Sequence, residues 1–110
     1  MRNKTISGIQ FSAEQIQAVW EKGTPITGFD RHLYRYDSCR SIIKRDMYGM
    51  INTPLNMGWE IDHIKPTTKG GNDDTDNLQP LQWENNRGKA DNYPQWECSV
   101  TSSHQKNVYK

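Results

Sequence analysis

Long hydrophobic runs are missing from this chain: nothing approaches the roughly eighteen apolar residues of a membrane-spanning helix, and the opening "MRNKTISGIQF" lacks the apolar stretch of a secretory leader. A membrane protein is set aside on that ground, and a cytoplasmic location is expected. An excess of one sign of charge is missing too. Fourteen Lys and Arg against thirteen Asp and Glu leave a formal net charge of +1, too little for the overall basic field of many nucleic-acid binders. Cysteine is scarce: Cys39 and Cys98 form no CxxC pair and fall short of the four ligands of a structural zinc. Free thiols are therefore expected, in keeping with a reducing compartment. No repeat or low-complexity block divides the 110 residues, a length that suits one modest core.

What is present is concentrated. Only 33% of the residues are hydrophobic, yet they include four Trp and five Tyr, so a few large aromatics must supply much of the burial. Charge is also unevenly placed: residues 1–58 hold eight Lys and Arg against five Asp and Glu, whereas 59–110 hold six against eight. An acidic half suits a cation, and a basic half suits an anion.

The segment "FSAEQIQAVWEKG" reads as a helix. Ser12 and Gln15 form a capping box, Phe11 and Ile16 a hydrophobic staple, Gly23 a stop, and Ile16, Val19 and Trp20 one apolar face for the core. The runs "HLYRYD" and "RSIIKR" lean toward strands or a hairpin. A strand at 59–62, the turn-rich "KPTTKGGNDDTD", a second strand at "LQPLQ" and a helix from about Trp83 to Lys89 follow in order. The closing "SVTSSHQKNVYK" reads as a flexible tail over 99–110, behind a single small α+β domain over 1–98.

That strand–loop–strand–helix unit carries the polar residues of interest. Asp62 and His63 end its first strand, Asn77 stands fourteen positions after His63, and Asn86 nine further on in the helix. Folding the helix back across the strands would bring the four together. A carboxylate from Asp62 and an amide oxygen from Asn86 are hard ligands suited to Mg²⁺, with Mn²⁺ or another divalent ion as possibilities, and substrate phosphate would complete the sphere. Neutral His63 suits a general base toward water, and Asn77 suits an orienting role in the loop. The set points to metal-assisted hydrolysis of a phosphodiester.

The residues "EIDHIKPTTKGGNDDTDNLQPLQWENNRGKADNYP" resemble the ββα-metal (His-Me finger) motif of HNH endonucleases, in an H-N-N variant made of His63, Asn77 and Asn86. The stretch "NNRGKADNYP" is similar to the nuclease domain of RNA-guided CRISPR effectors. The resemblance covers about 58–94 and implies catalytic roles for His63, Asp62, Asn77 and Asn86: metal on Asp62 and Asn86, His63 activating water, Asn77 orienting, and DNA cut to leave 5′-phosphate ends. Many relatives carry two CxxC pairs, but Gln82 and Asn85 stand where the second would be. No structural zinc is expected, and Trp59, Trp83 and Trp96 should do more of the holding.

Several residues admit two readings. Helical geometry allows only one of Asn85 and Asn86 to face the ion, and the "NRGK" alignment selects Asn86. Glu60 either leans toward the ion or faces solvent. Asp73, Asp74 and Asp76 read as a solvated turn, lacking the order of a calcium loop. Lys65, Lys69, Arg87 and Lys89 are candidate phosphate clamps on DNA, or simply a solvated charged face. His32 and His104 have no evident partner. A monomer is the default. Two alternatives to the nuclease stand beside it: a DNA-binding module with a vestigial metal site, and a nuclease delivered as a toxin or effector.

Overall fold

The computed structural model describes residues 2–110, and in it two short helices and several short strands make a small compact α+β domain. Helix α1 (Ala13–Trp20) begins as the sequence dictates: Ser12 Oγ accepts from Gln15 N while Gln15 Oε1 accepts from Ser12 N. It stops one turn before Gly23. That glycine is instead a packing position, because a Cβ there would lie 3.1 Å from Arg35 Cβ.

Strands β1 (Thr24–Pro25), β2 (Tyr34–Tyr36) and β3 (Ile42–Lys44) form one antiparallel sheet. Strands β4 (Trp59–His63) and β5 (Leu78–Gln82) form a second, pairing Trp59 with Gln82 and His63 with Leu78, and β5 leads directly into α2 (Trp83–Lys89). Alternation along β4 sends Trp59 and Ile61 to the core and Glu60 and Asp62 to the side covered by α2. Both faces are thus covered, which explains why four consecutive residues, Trp59 to Asp62, are buried.

The core is built on Trp20 against Trp59, ring centroids 5.3 Å apart, with Tyr48 edge-on to Trp59 and Phe11, Val19, Ile43, Ile61 and Leu78 around them. The expected trio of Trp59, Trp83 and Trp96 is therefore corrected. Trp20 and Trp59 are fully buried, whereas Trp83 and Trp96 stay partly exposed.

Two further expectations are overturned. Residues 99–110 are no loose tail: β6 (Val100–Ser103) and β7 (Lys106–Tyr109) form an antiparallel hairpin. It is fastened by a fully buried Val100 and by Asn107, whose side chain bonds both Ile42 N and Ile42 O. The cysteines are not free either, since Cys39 and Cys98 form a disulfide that ties the turn before β3 to the entry of this hairpin. Their sequence separation of 59 closes a long loop, which restricts the unfolded chain. Reduction, or paired Cys39→Ser and Cys98→Ser replacement, is expected to lower unfolding stability by about 2–4 kcal/mol in urea titrations. An unchanged midpoint would show that the bridge stabilises nothing.

Candidate active site

The site grows out of the β4–β5–α2 unit. Asn86 and Lys89 lie three apart on α2 and so share the helix face turned toward β4, where Glu60 and Asp62 lie two apart and share a strand face. The two periodicities match. Asn86 Nδ2 donates to Glu60 Oε1 at 3.0 Å, and Lys89 Nζ reaches both Asp62 oxygens at 3.2–3.3 Å and donates to the His63 carbonyl at 3.0 Å. The Asn86 donation to Glu60 turns the amide oxygen of Asn86 the other way, and Asn86 lines a cleft of about 320 Å³ together with Asp62 and His63.

Asn85 lies outside that cleft. Its amide is fully buried, donating to Asp37, Ser41 and the Val100 carbonyl while accepting from Ser99 N and Val100 N. One of the adjacent asparagines therefore lines the cleft and the other fastens the C-terminal hairpin. Asp37 gathers this framework as well, accepting from Cys39 N, Ser41 N, Gln82 N and Asn85 Nδ2. Burial pushes its carboxyl up, and the hydrogen bonds from Gln82, Ser41, Asn85 and Cys39 oppose that.

Burial also pushes the Asp62 carboxyl above its ordinary range, against the opposing pull of Gln79, which donates at 3.0 Å, and of Lys89. His63, at the strand end, is mostly buried, with its ring 6.0 Å from that of Phe11. Its Nε2 lies 2.8 Å from Asp73 Oδ1.

Asn77 makes no hydrogen bond to the His63 side chain among the described residues. It braces the intervening loop instead: Oδ1 accepts from Lys65 N, Nδ2 donates to the Lys65 and Asn72 carbonyls, and the Asn77 carbonyl accepts from Ile64 N at 2.7 Å. The two glycines of "KGG" have separate reasons. Gly70 takes φ +91°, and Gly71 packs so closely on the Lys65 carbonyl that a Cβ would meet that oxygen at 1.7 Å.

The four expected phosphate clamps fare differently. Lys89 is corrected outright, being fully buried and committed to Asp62 and His63. Lys65 and Lys69 are exposed on the loop, and Arg87 is half-buried with its guanidinium 5.3 Å from the Trp83 ring centroid. None of the four lines the cleft; Arg2 does. It is held there because Asn3, its neighbour, accepts from both Ile61 N and Tyr48 Oη at 2.8 Å, docking the N-terminal segment on the edge of β4 away from β5. Sequence reading missed Arg2, as no local pattern ties it to β4. Glu60 does not face solvent: it is 5% exposed and bonded to Asn86.

No group of three or more His, Cys, Asp or Glu side chains with metal-holding geometry occurs among the described residues. The donors at hand are oxygens of a mixed kind, a carboxylate from Asp62 and an amide from Asn86, with the Glu60 carboxylate adjoining. Such a sparse hard set fits a Mg²⁺-like ion that keeps waters and shares its sphere with phosphate, and would not fit a fully caged ion.

No curated protein and no solved structure matches the chain. A family model does: residues 48–92 match HNH endonuclease, a span that runs from Tyr48 through β4, the braced loop, β5 and α2. The cleft of Asp62, His63 and Asn86 thus lies within the span, residues 48–92, that matches the HNH endonuclease family model.

Proposed function

We propose that this protein is a divalent-metal-dependent endonuclease that hydrolyses DNA phosphodiester bonds through a ββα-metal site. The observation carrying this reading is the convergence of Asp62, His63 and Asn86 on one open cleft within the HNH span. Asp62 and Asn86 would hold the ion, Mg²⁺ being the best fit to their oxygens. When bound, such an ion withdraws charge from the phosphoryl oxygens and the leaving group.

The chain's own groups do the rest. His63 takes a proton from the attacking water, the P–O3′ bond breaks as the water oxygen joins phosphorus, and the departing O3′ takes a proton from solvent, so the products carry 5′-phosphate and 3′-hydroxyl ends. Asn77 and Gly71 keep the loop after His63 from drifting, which fixes the base relative to the scissile bond. Arg2 contributes a guanidinium at the rim, suited to bidentate contact with a phosphate. Arg2→Ala is expected to weaken DNA binding and to reduce the slope of log affinity against log salt by about one, measured by titration at several salt concentrations. A slope equal to that of the wild type would remove Arg2 from the interface.

The test of the reading as a whole is product chemistry. Supercoiled plasmid incubated with the protein and Mg²⁺ or Mn²⁺ should be nicked, and DNA ligase should reseal the nicks without prior phosphorylation. Nicks that ligase cannot close would contradict hydrolysis at P–O3′.

One observation favours a second reading. The Lys89 ammonium already neutralises Asp62, as it would in a DNA-binding module with a vestigial metal site. Duplex binding with no cleavage under any divalent ion would select that module.

A further inference from the structure

We infer that Asp73, an acid of the loop between β4 and β5, is the positioning residue for His63. Its Oδ1 lies 2.8 Å from His63 Nε2. A carboxylate only accepts, so Nε2 carries the proton in this contact, and whenever the ring is neutral its lone pair lies on Nδ1. The contact lies inside a built frame. The His63 side chain is 10% exposed and its ring packs on Phe11, which restricts the ring's rotation.

Asp73 itself is held from three directions. Ile6 N donates to both of its carboxylate oxygens at 3.1–3.2 Å, Asn77 Nδ2 binds the carbonyl of Asn72 just before it, and Gly71 pins the loop onto Lys65. Asn77 thus braces both ends of this loop, and Asp73 is the group whose side chain makes the contact with His63. A loop acid serving merely as a solvated turn would need none of this bracing.

The catalytic consequence rests on the proposed role of His63 as base, whereas the hydrogen bond does not, and the experiment separates the two. In ¹H–¹⁵N spectra of the wild-type protein without metal, the His63 Nε2 proton is expected as a downfield, slowly exchanging signal, and Asp73→Ala should abolish it. In plasmid cleavage, Asp73→Ala should lower kcat by about 10- to 100-fold, the usual cost of losing an orienting partner, with KM and melting temperature close to wild type. A wild type whose His63 Nε2 proton exchanges as fast as that of an exposed histidine overturns the inference, as does a signal that survives Asp73→Ala. So does a fall in kcat that is matched by a loss of melting temperature. If the wild type does not cleave DNA, the proposed function fails, and the spectra alone still decide the hydrogen bond.

Discussion

His63→Ala is expected to lower the rate of DNA cleavage by about 10²–10⁴-fold, the range contributed by a positioned general base, while leaving KM for DNA near the wild-type value. The asymmetry follows from where the residues stand. Arg2 lines the rim of the cleft and is suited to holding DNA, whereas His63 sits at the end of β4 beside the oxygen donors Asp62 and Asn86. Removing the imidazole takes away a proton acceptor and little binding surface. The fold should survive, because among the described residues the side chain's hydrogen-bond partner is Asp73, and its neighbours Ile61 and Leu78 keep their places in the core. Single-turnover cleavage with enzyme in excess, together with a melting curve, distinguishes a lost base from a lost fold. A His63→Ala protein that cleaves within a few-fold of wild type would remove the imidazole from the chemistry.

Lys89→Met should damage the protein in the opposite way, through stability. The ammonium is fully buried and bridges Asp62 and the His63 carbonyl, so a methionine of similar length leaves the Asp62 charge without a cation in a site that already disfavours ionisation. Breaking a buried pair in this manner costs about 3–5 kcal/mol. The sign of its pH dependence follows from Asp62. A carboxyl whose folded value is raised contributes fully below the unfolded value, near 3.9, and loses that contribution as pH rises through the folded value. Loss of Lys89 raises Asp62 further, so the deficit of the variant should be small near pH 3 and widen toward pH 7. Urea titrations across that range check it. A deficit that is constant with pH, or below about 1 kcal/mol at neutrality, would mean that the pair does not hold Asp62 charged.

Much of the site could be read from the chain because two short periodicities define it. The alternation of "WEIDH" and the helical spacing of "WENNRGK" are local signals, and they place β4, β5 and α2 close to where they stand. The same helical spacing held information that the charge pattern obscured. Lys89 lies three residues after Asn86 and therefore on the inward face, but a lysine two residues after an arginine suggests solvent. Asp73 escaped for a related reason, since three acids in a turn-rich loop look solvated and only the tertiary fold shows which one meets His63.

The C-terminal hairpin was hidden by its turn. His104 and Gln105 both adopt positive φ, 52° and 65°, without the Asn-Gly or Asp-Gly signature that usually marks such a turn, so "SVTSSHQKNVYK" looked like a fraying end. Docking of the hairpin depends on Asn85 and Asn107, whose partners are distant in sequence. The disulfide is likewise a long-range fact. Two cysteines 59 residues apart carry no local sign that they will meet.

The measurement that bears most directly on the proposed chemistry is nicking of supercoiled plasmid against Mg²⁺ concentration, by the wild type and by Asn86→Ala, with a chelator control. The expected result is cleavage by the wild type that stops in chelator and returns with Mg²⁺, and a variant that needs markedly more Mg²⁺ to cleave at all. Cleavage that persists in chelator, or an Asn86→Ala curve superimposable on the wild type, would contradict a catalytic ion held by Asp62 and Asn86.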